Sequence, residues 1–190
     1  SDWMHANKAF YNEAKDRFEA LLPELIDGIG VFDANIADLN PKDLVFRLNR
    51  DTRFSYDTAP YNHAFRAHIS SAGRKPIPAG YYLNIKPGHC FLGGGVFAAC
   101  LPQATGMVRD YLAAHPEDFI TVLNNPEFSD NFKVEGEKLK NVPRDYAKEH
   151  LLAEYLKHKS WAIEYHLNDD LFLDDIANIG FMVEKFMLMK

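Results

Sequence analysis

The 190-residue sequence has little cysteine, no long apolar run and no excess of positive charge, and each absence removes a class of protein. Cys90 and Cys100 form neither a CxxC pair nor a disulfide framework, so they predict buried thiols in a reducing cytoplasm. No apolar stretch reaches the length of a membrane span and no signal peptide is visible, so we expect no membrane partner. The formal net charge of −6 argues against a general nucleic-acid binder.

Metal-binding and catalytic motifs are also missing from the sequence. The eight histidines include no HExxH motif, and His63 and His68 are five residues apart, a spacing that suits neither one face of a helix nor one face of a strand. Ser55 and Ser160 lack the sequence context of a nucleophile elbow. We therefore expect no metal and no cofactor, and the sequence leaves open whether the protein is an enzyme.

The residues that are present predict one α+β domain over residues 1–190, with a mainly antiparallel sheet packed by helices. Hydrophobic residues make up 47% of the chain, which is enough for a sizeable core. Apolar residues at three- and four-residue steps from Trp3 to Ile26 predict a long N-terminal helix, with a kink or a break at Pro23 and an end at Gly28 and Gly30. Strands are predicted at 44–48, 66–70, 81–85 and 160–165, with a Pro-Gly hairpin at 85–91. Further helices are predicted at 102–114, 116–124, 145–158 and 174–190, the last forming a long C-terminal helix.

The most distinctive segment is 47–61, in which Arg47, Arg50 and Arg53 fall within seven residues and are interleaved with aspartates. A guanidinium group keeps its charge and offers a fork of five donors that matches carboxylate or phosphate. One interpretation is a network of internal ion pairs that clamps a loop onto the sheet, because an unpaired buried charge is very costly. The other is a cleft in which the three arginines and Tyr61 bind an anion. The sequence leaves both open.

Two further groups would support such an anion site. Lys140 and Arg144 lie in a second basic loop, for which solvated surface charge is the simpler explanation. Gly93, Gly94 and Gly95 would form the floor with their backbone amides. This run matches neither GxGxxG nor a Walker sequence, so a bulge or close helix packing is its simpler explanation. One combined site requires the two basic groups to converge in space.

Four blocks of the sequence resemble DUF2461, a bacterial and fungal family of conserved hypothetical proteins. They are FRxxRDTRFSxxxxPY at 46–61, GYYL and FLGGG within 80–95, FxxxGxxLKxxPR at 132–144, and EYLKxKS at 154–160. The resemblance implies no reaction, substrate or cofactor. The family tends to show lysines around its Pro-Tyr, where this chain has Tyr56, Thr58 and Asn62, and this weakens an anion-holding role for that stretch. The family usually has a short segment ahead of its Trp, so we expect the domain to start before residue 1.

The leading hypothesis is a binding module, or an enzyme of undefined chemistry, for an anionic small molecule held by an arginine-rich cleft. The alternative is a structural or protein-interaction domain in which the arginines form internal ion pairs. Exposed aromatic surface would favour the alternative, whereas a polar concave pocket would favour the anion site. A homodimer is the assembly that such domains most often form.

Overall fold

The computed structural model describes residues 2–51, 53, 56, 59–96, 101–173 and 178–190. Within these residues, the strands β1 (Phe65–Ile69), β2 (Gly80–Ile85), β3 (Cys90–Val96) and β4 (Trp161–Leu167) form one antiparallel sheet in that order. The helices are α1 (Asp2–Ala6), α2 (Lys8–Gly30), α3 (Pro41–Leu44), α4 (Pro102–Ala114), α5 (Pro116–Asn124), α6 (Pro126–Ser129), α7 (Ala153–Leu156) and α8 (Ile179–Leu188), and a 3-10 turn spans Asp169–Phe172. The architecture confirms the predicted α+β class.

The main core lies between one face of the sheet and the helices α2 and α8. The apolar stripe of α2 buries Phe18, Leu22 and Leu25, and α8 contributes Phe186. A Cβ atom at Gly28 would lie 2.5 Å from a methyl carbon of Val183, so the close approach of the two helices requires glycine. None of the described helices has the length and apolar character needed to cross a membrane.

A second apolar cluster covers the start of β4. It is built from α4, α7 and neighbouring segments around Leu112, Leu156 and Trp161. Arg109 of α4 donates from Nε to the carbonyl of Leu156 at 2.9 Å and from Nη2 to that of His158 at 2.7 Å. These two bonds satisfy carbonyls at the end of α7 and hold the turn that leads into β4.

Most predicted elements are confirmed, including the strands 66–70, 81–85 and 160–165 and the helices 102–114 and 116–124. The Pro-Gly hairpin is confirmed as well, with the His89 amide donating to the Lys86 carbonyl at 2.7 Å and Gly88 at a φ of +76°. The helix α2 continues through Pro23, where the sequence predicted a kink or a break. Leu22 and Leu25 are fully buried on either side, and this packing maintains the helix across the proline.

Two predicted elements are wrong. The expected strand 44–48 does not form, and its first residue, Leu44, instead ends α3. This helix begins after Asn40, whose side chain accepts from the Lys42 amide, and has a proline at its first position. After α3 the segment forms isolated bridges, Val45 with Ala67 and Asn49 with Tyr61, rather than a strand. The expected helix 145–158 is reduced to α7, since the ring of His150 accepts from the Leu152 amide at 3.0 Å and competes with helical bonding. Of the predicted helix 174–190, α8 is present, and 174–177 lie outside the described residues.

Candidate functional site

A cleft of about 510 Å³ lies between α2 and the segment 42–49, beside the β1 edge of the sheet. Backbone hydrogen bonds position this segment along the edge. The Phe46 amide donates to the Arg66 carbonyl at 2.9 Å, and the Asn62 amide donates to the Leu48 carbonyl at 2.8 Å. The opposite wall is the polar side of the N-terminal helices. We call this hollow the basic cleft.

Positive charge dominates the basic cleft. Among the described residues, its basic lining side chains are His5, Lys8, Lys15, Lys42 and Arg47. The one carboxylate in the described part of the lining is Glu19, which already pairs with Lys15 at 2.8 Å, and this hydrogen bond raises the pKa of Lys15. Within the same described set, Lys8, Lys42 and Arg47 have no ion-pair partner. The cleft therefore holds uncompensated positive charge in a chain whose net charge is −6.

Helix geometry explains how α2 supplies part of this lining. Lys8, Asn12, Lys15 and Glu19 recur at steps of four, three and four, which places them along one side of a helix. This spacing is visible in the sequence, but it lies outside the arginine-rich segment 47–61 on which the predicted site was based. Tyr61 completes the cleft from the other side.

A second hollow of about 860 Å³ adjoins the basic cleft, and we call it the apolar cavity. Its apolar and aromatic lining residues are Trp3, Met4, Tyr11, Ala14, Phe18, Ala20, Leu21, Leu48, Tyr61, Ala64, Phe65, Ile85, Pro87, Phe172 and Ile179. Both hollows are lined by Met4, Tyr11, Leu48, Tyr61, Ala64 and Phe65. The ring of Phe65 stacks on Tyr11 with centroids 6.0 Å apart and on Phe18 at 5.4 Å, so an aromatic row forms part of the shared wall.

The predicted arginine block divides in two. Arg47 lines the basic cleft together with Tyr61, whereas Arg50 and Arg53 line neither hollow. Arg53 donates from Nε and Nη2 to the two carboxylate oxygens of Asp51 at 2.9 and 2.5 Å, and these bonds hold the pKa of that carboxyl below its usual range. Both side chains are exposed, so this pair is a local surface contact rather than a clamp on the sheet.

The three glycines lie inside the sheet and line neither hollow. Gly93 and Gly94 are buried in the middle of β3, and Gly94 approaches the sulfur of Met189, where a Cβ would lie at 3.4 Å. Gly95 has a φ of +111°, and a Cβ there would collide with the Trp161 carbonyl. Close packing of β3 against β4 and the C-terminal segment therefore accounts for this run.

Lys140 and Arg144 lie at the other edge of the sheet. They follow Lys138, which bridges to His158 just before β4, whereas Arg47 lies beside β1. Four strands spaced about 4.8 Å apart separate the two edges by roughly 14 Å. The structure thus does not bring the two basic groups together, and neither Lys140 nor Arg144 lines the basic cleft. An anion site of their own stays a prediction.

Other reactive groups add little to the candidate site. Cys90 is buried as predicted, and burial raises the pKa of its thiol to about 11, so this thiol is a poor nucleophile at neutral pH. Cys100 lies outside the described residues. In the part of the chain that the structure describes, no three His, Cys, Asp or Glu side chains gather as a metal site would require.

The whole chain, residues 1–190, matches the family described as conserved hypothetical protein DUF2461. This match confirms the resemblance that the four sequence blocks carry. No curated protein and no solved structure shows significant similarity to the chain. A function therefore has to be argued from the geometry and charge of the site itself.

Proposed function

We propose that this chain, which belongs to the DUF2461 family, binds an anionic small molecule in the basic cleft. The charge balance of the cleft carries the proposal. Four Lys and Arg side chains and one histidine line it among the described residues, and the one carboxylate there is already paired with Lys15. Surface lysines are common, but here they converge on a concave wall, where low-dielectric surroundings focus the field.

The lining supplies the donors that such a ligand needs. Arg47 offers a planar fork for a carboxylate or phosphate, and Lys8 and Lys42 act as mobile point charges around it. Tyr11, Asn12, Asn49 and Tyr61 add neutral polar groups to the lining. The volume of about 510 Å³ suits a small molecule. The proposal concerns binding and assigns no reaction.

A second candidate function is a protein-interaction role, which two observations favour. Arg53 pairs with Asp51 of the same segment, so its charge is already partnered within the chain, although the pair is exposed. Trp3 and Phe10 leave 67% and 72% of their surface exposed on the N-terminal helices. In this alternative the cations keep the protein soluble while exposed aromatic rings contact a partner.

Calorimetric titration with phosphate, pyrophosphate and succinate tests the first function. The variants are Arg47→Ala in the cleft and, as a matched control, Arg144→Ala at the opposite sheet edge. We expect at least one anion to bind the wild type and the control alike and to lose most of its affinity for Arg47→Ala. At about a hundred times its dissociation constant, that anion stabilises the fold by roughly 2.7 kcal/mol, so the melting temperature rises by roughly 5–10 °C.

The proposal is overturned if none of these anions binds, or if Arg47→Ala binds as well as Arg144→Ala does. Arg47 is exposed, so its removal should leave the fold intact, and a thermal melt of the variant checks this. Equal loss in both variants would point to diffuse attraction by the whole surface.

A further inference from the structure

We infer that the anion of the basic cleft is the head of an amphiphile whose apolar body occupies the adjoining apolar cavity. The ligand class is a free single-chain carboxylate or phosphate monoester with an alkyl tail. This inference rests on the proposed function, because the head group needs the basic cleft. It goes further by assigning a use to the larger hollow, which anion binding leaves unexplained.

The apolar cavity is large enough to hold a tail. Its volume of about 860 Å³ lies within the usual range of small-molecule sites, and aliphatic and aromatic side chains dominate its lining. Its charged lining residues are Glu24 and Arg17, and Arg17 pairs with Glu13, which lies outside the lining, at 3.5 Å. The apolar cavity thus lacks the surplus of cations that lines the basic cleft. Because its lining is mainly apolar, it suits the tail of an amphiphile rather than the head.

The helix α2 builds both hollows from two neighbouring stripes. Lys8 and Lys15 face the basic cleft, whereas Ala14, Phe18 and Leu21, spaced four and three residues apart, face the apolar cavity. A ligand lying across the helix would therefore meet cations at one end and apolar carbon at the other.

The opposite wall repeats this division. Arg47 lines the basic cleft but not the apolar cavity, whereas the next residue, Leu48, lines both hollows. The wall that both hollows share includes the stacked rings of Phe65 and Tyr11, and Phe65 also stacks on Phe18 within the apolar cavity. The first carbons of a tail would lie along these rings, with the head beside Arg47. Both walls thus place charge and apolar surface in the same order.

The test titrates the protein with acetate, hexanoate, octanoate and laurate below their micelle-forming concentrations. Burial of each added methylene contributes about 0.8 kcal/mol, so affinity should rise up to about fourfold per methylene until the cavity is full. Arg47→Ala should weaken binding of every chain length by a similar factor. Ala14→Trp, which fills the cavity from an exposed position, should abolish the dependence on chain length but leave acetate binding unchanged.

Ala9→Trp is the matched control, because Ala9 is an exposed α2 residue that lines neither hollow. It should bind every carboxylate as the wild type does. Thermal melts check that both variants fold, and Ala20→Trp, also exposed in the cavity lining, replaces Ala14→Trp if that variant unfolds.

The outcomes separate the two proposals. If acetate binds the wild type as tightly as laurate does, the amphiphile is excluded while anion binding stands. If no carboxylate of any length binds and the inorganic anions also fail, the proposed function itself is excluded. Laurate binding that Arg47→Ala does not weaken would also overturn the inference, because head and tail would not share one site. So would sedimentation with anionic phospholipid vesicles in the absence of laurate binding, because the surface would then dock on a membrane.

Discussion

The two edges of the sheet both carry clustered cations, yet they use them differently. At the β4 edge, Lys157 pairs with Glu154 and Lys159 pairs with Glu137 at 2.8 Å, and these bonds lower the pKa of both carboxyl groups. Arg109 is used there to hold backbone carbonyls. At the β1 edge the cations line a hollow, and most of them meet no carboxylate among the described residues. A basic residue becomes a candidate ligand group where the fold supplies it with no partner.

The origin of this difference lies in how the partners are arranged along the chain. Glu154 and Lys157 are three residues apart, so local geometry brings them together. At the β1 edge, the carboxylates nearest in sequence to Lys42 and Arg47 do not line the basic cleft. Asp43 lines a separate hollow behind α3, and Asp51 pairs with Arg53. Lys42 and Arg47 are thus left to face the cleft together.

The largest effect that we expect concerns the packing of β3 against β4, on the β4 side of the sheet. Gly95→Ala should lower the free energy of unfolding by about 3 kcal/mol, because a side chain at positive φ would be forced against the Trp161 carbonyl. Gly93→Ala is the matched control, since its Cβ would meet neighbours at 3.5 Å, an ordinary contact. Urea unfolding measures both. Equal effects would mean that β3 and β4 are not held as tightly as described, and loss of anion binding in folded Gly93→Ala would restore the glycines to the site.

The next effect compares one substitution at the two edges. Arg109→Ala should cost about 2–3 kcal/mol of stability, since it removes two charge-assisted hydrogen bonds and leaves part-buried carbonyls without a donor. Arg47→Ala should change stability by no more than about 0.5 kcal/mol, because the side chain is exposed. Anion affinity should show the reverse order. If Arg47→Ala destabilises the protein as much as Arg109→Ala does, Arg47 is a structural residue and the contrast between the edges is lost.

Much of the fold is predictable from the sequence because the relevant signals are local. Alternating side chains identify β2 and β4, and prolines at the first helical position mark the starts of α4 and α5. The Asn40-Pro41 start signal of α3 was equally local, but β-branched and aromatic residues after it favoured a strand. The failed helix 145–158 shows the limit, since its apolar spacing is satisfied by turns packed on the second cluster.

The site is only half readable from the sequence. Arg47 and Tyr61 stand out within one dense segment, and the structure places both in the cleft lining. Lys8 and Lys42 come from distant parts of the chain, and their approach depends on how α2 packs across β1. No local pattern specifies that packing, so the cleft becomes visible only in three dimensions.

A smaller effect tests the charge contrast directly. Lys42→Glu in the cleft should weaken pyrophosphate binding about tenfold, since it changes two units of charge roughly 6 Å from the ligand in a watery environment, or about 1.4 kcal/mol. Lys140→Glu at the other edge makes the same change in net charge and should have little effect. Titrations at low and high salt measure both, and the difference should shrink as salt rises. A comparable loss in both variants would assign the attraction to net charge and remove the distinction between the edges.

The smallest effect that we expect is a pH dependence of the folding stability at the β4 edge. His158 is fully buried between the rings of Tyr155 and Trp161, with Nδ1 at 2.9 Å from the Ser160 carbonyl. Burial lowers its pKa from 6.5, so below that pH the unfolded chain takes up a proton that the folded protein resists. The stability advantage of the neutral ring is therefore complete above pH 6.5 and declines as pH falls towards the folded pKa.

This decline is limited to about 1.4 kcal/mol per pH unit for one proton. His158→Phe should be the less stable protein at neutral pH, because it loses the bond to Ser160, but its stability should fall less steeply in acid. Trp161→Phe is the control, as it alters the same ring stack without removing a titratable group. Urea unfolding across this pH range measures the gap between wild type and variant. The prediction fails if the stability difference between wild type and His158→Phe stays constant on acidification while Trp161→Phe runs parallel to wild type. The buried imidazole would then not resist protonation, and the β4 edge would lack the tight packing that sets it apart from the β1 edge.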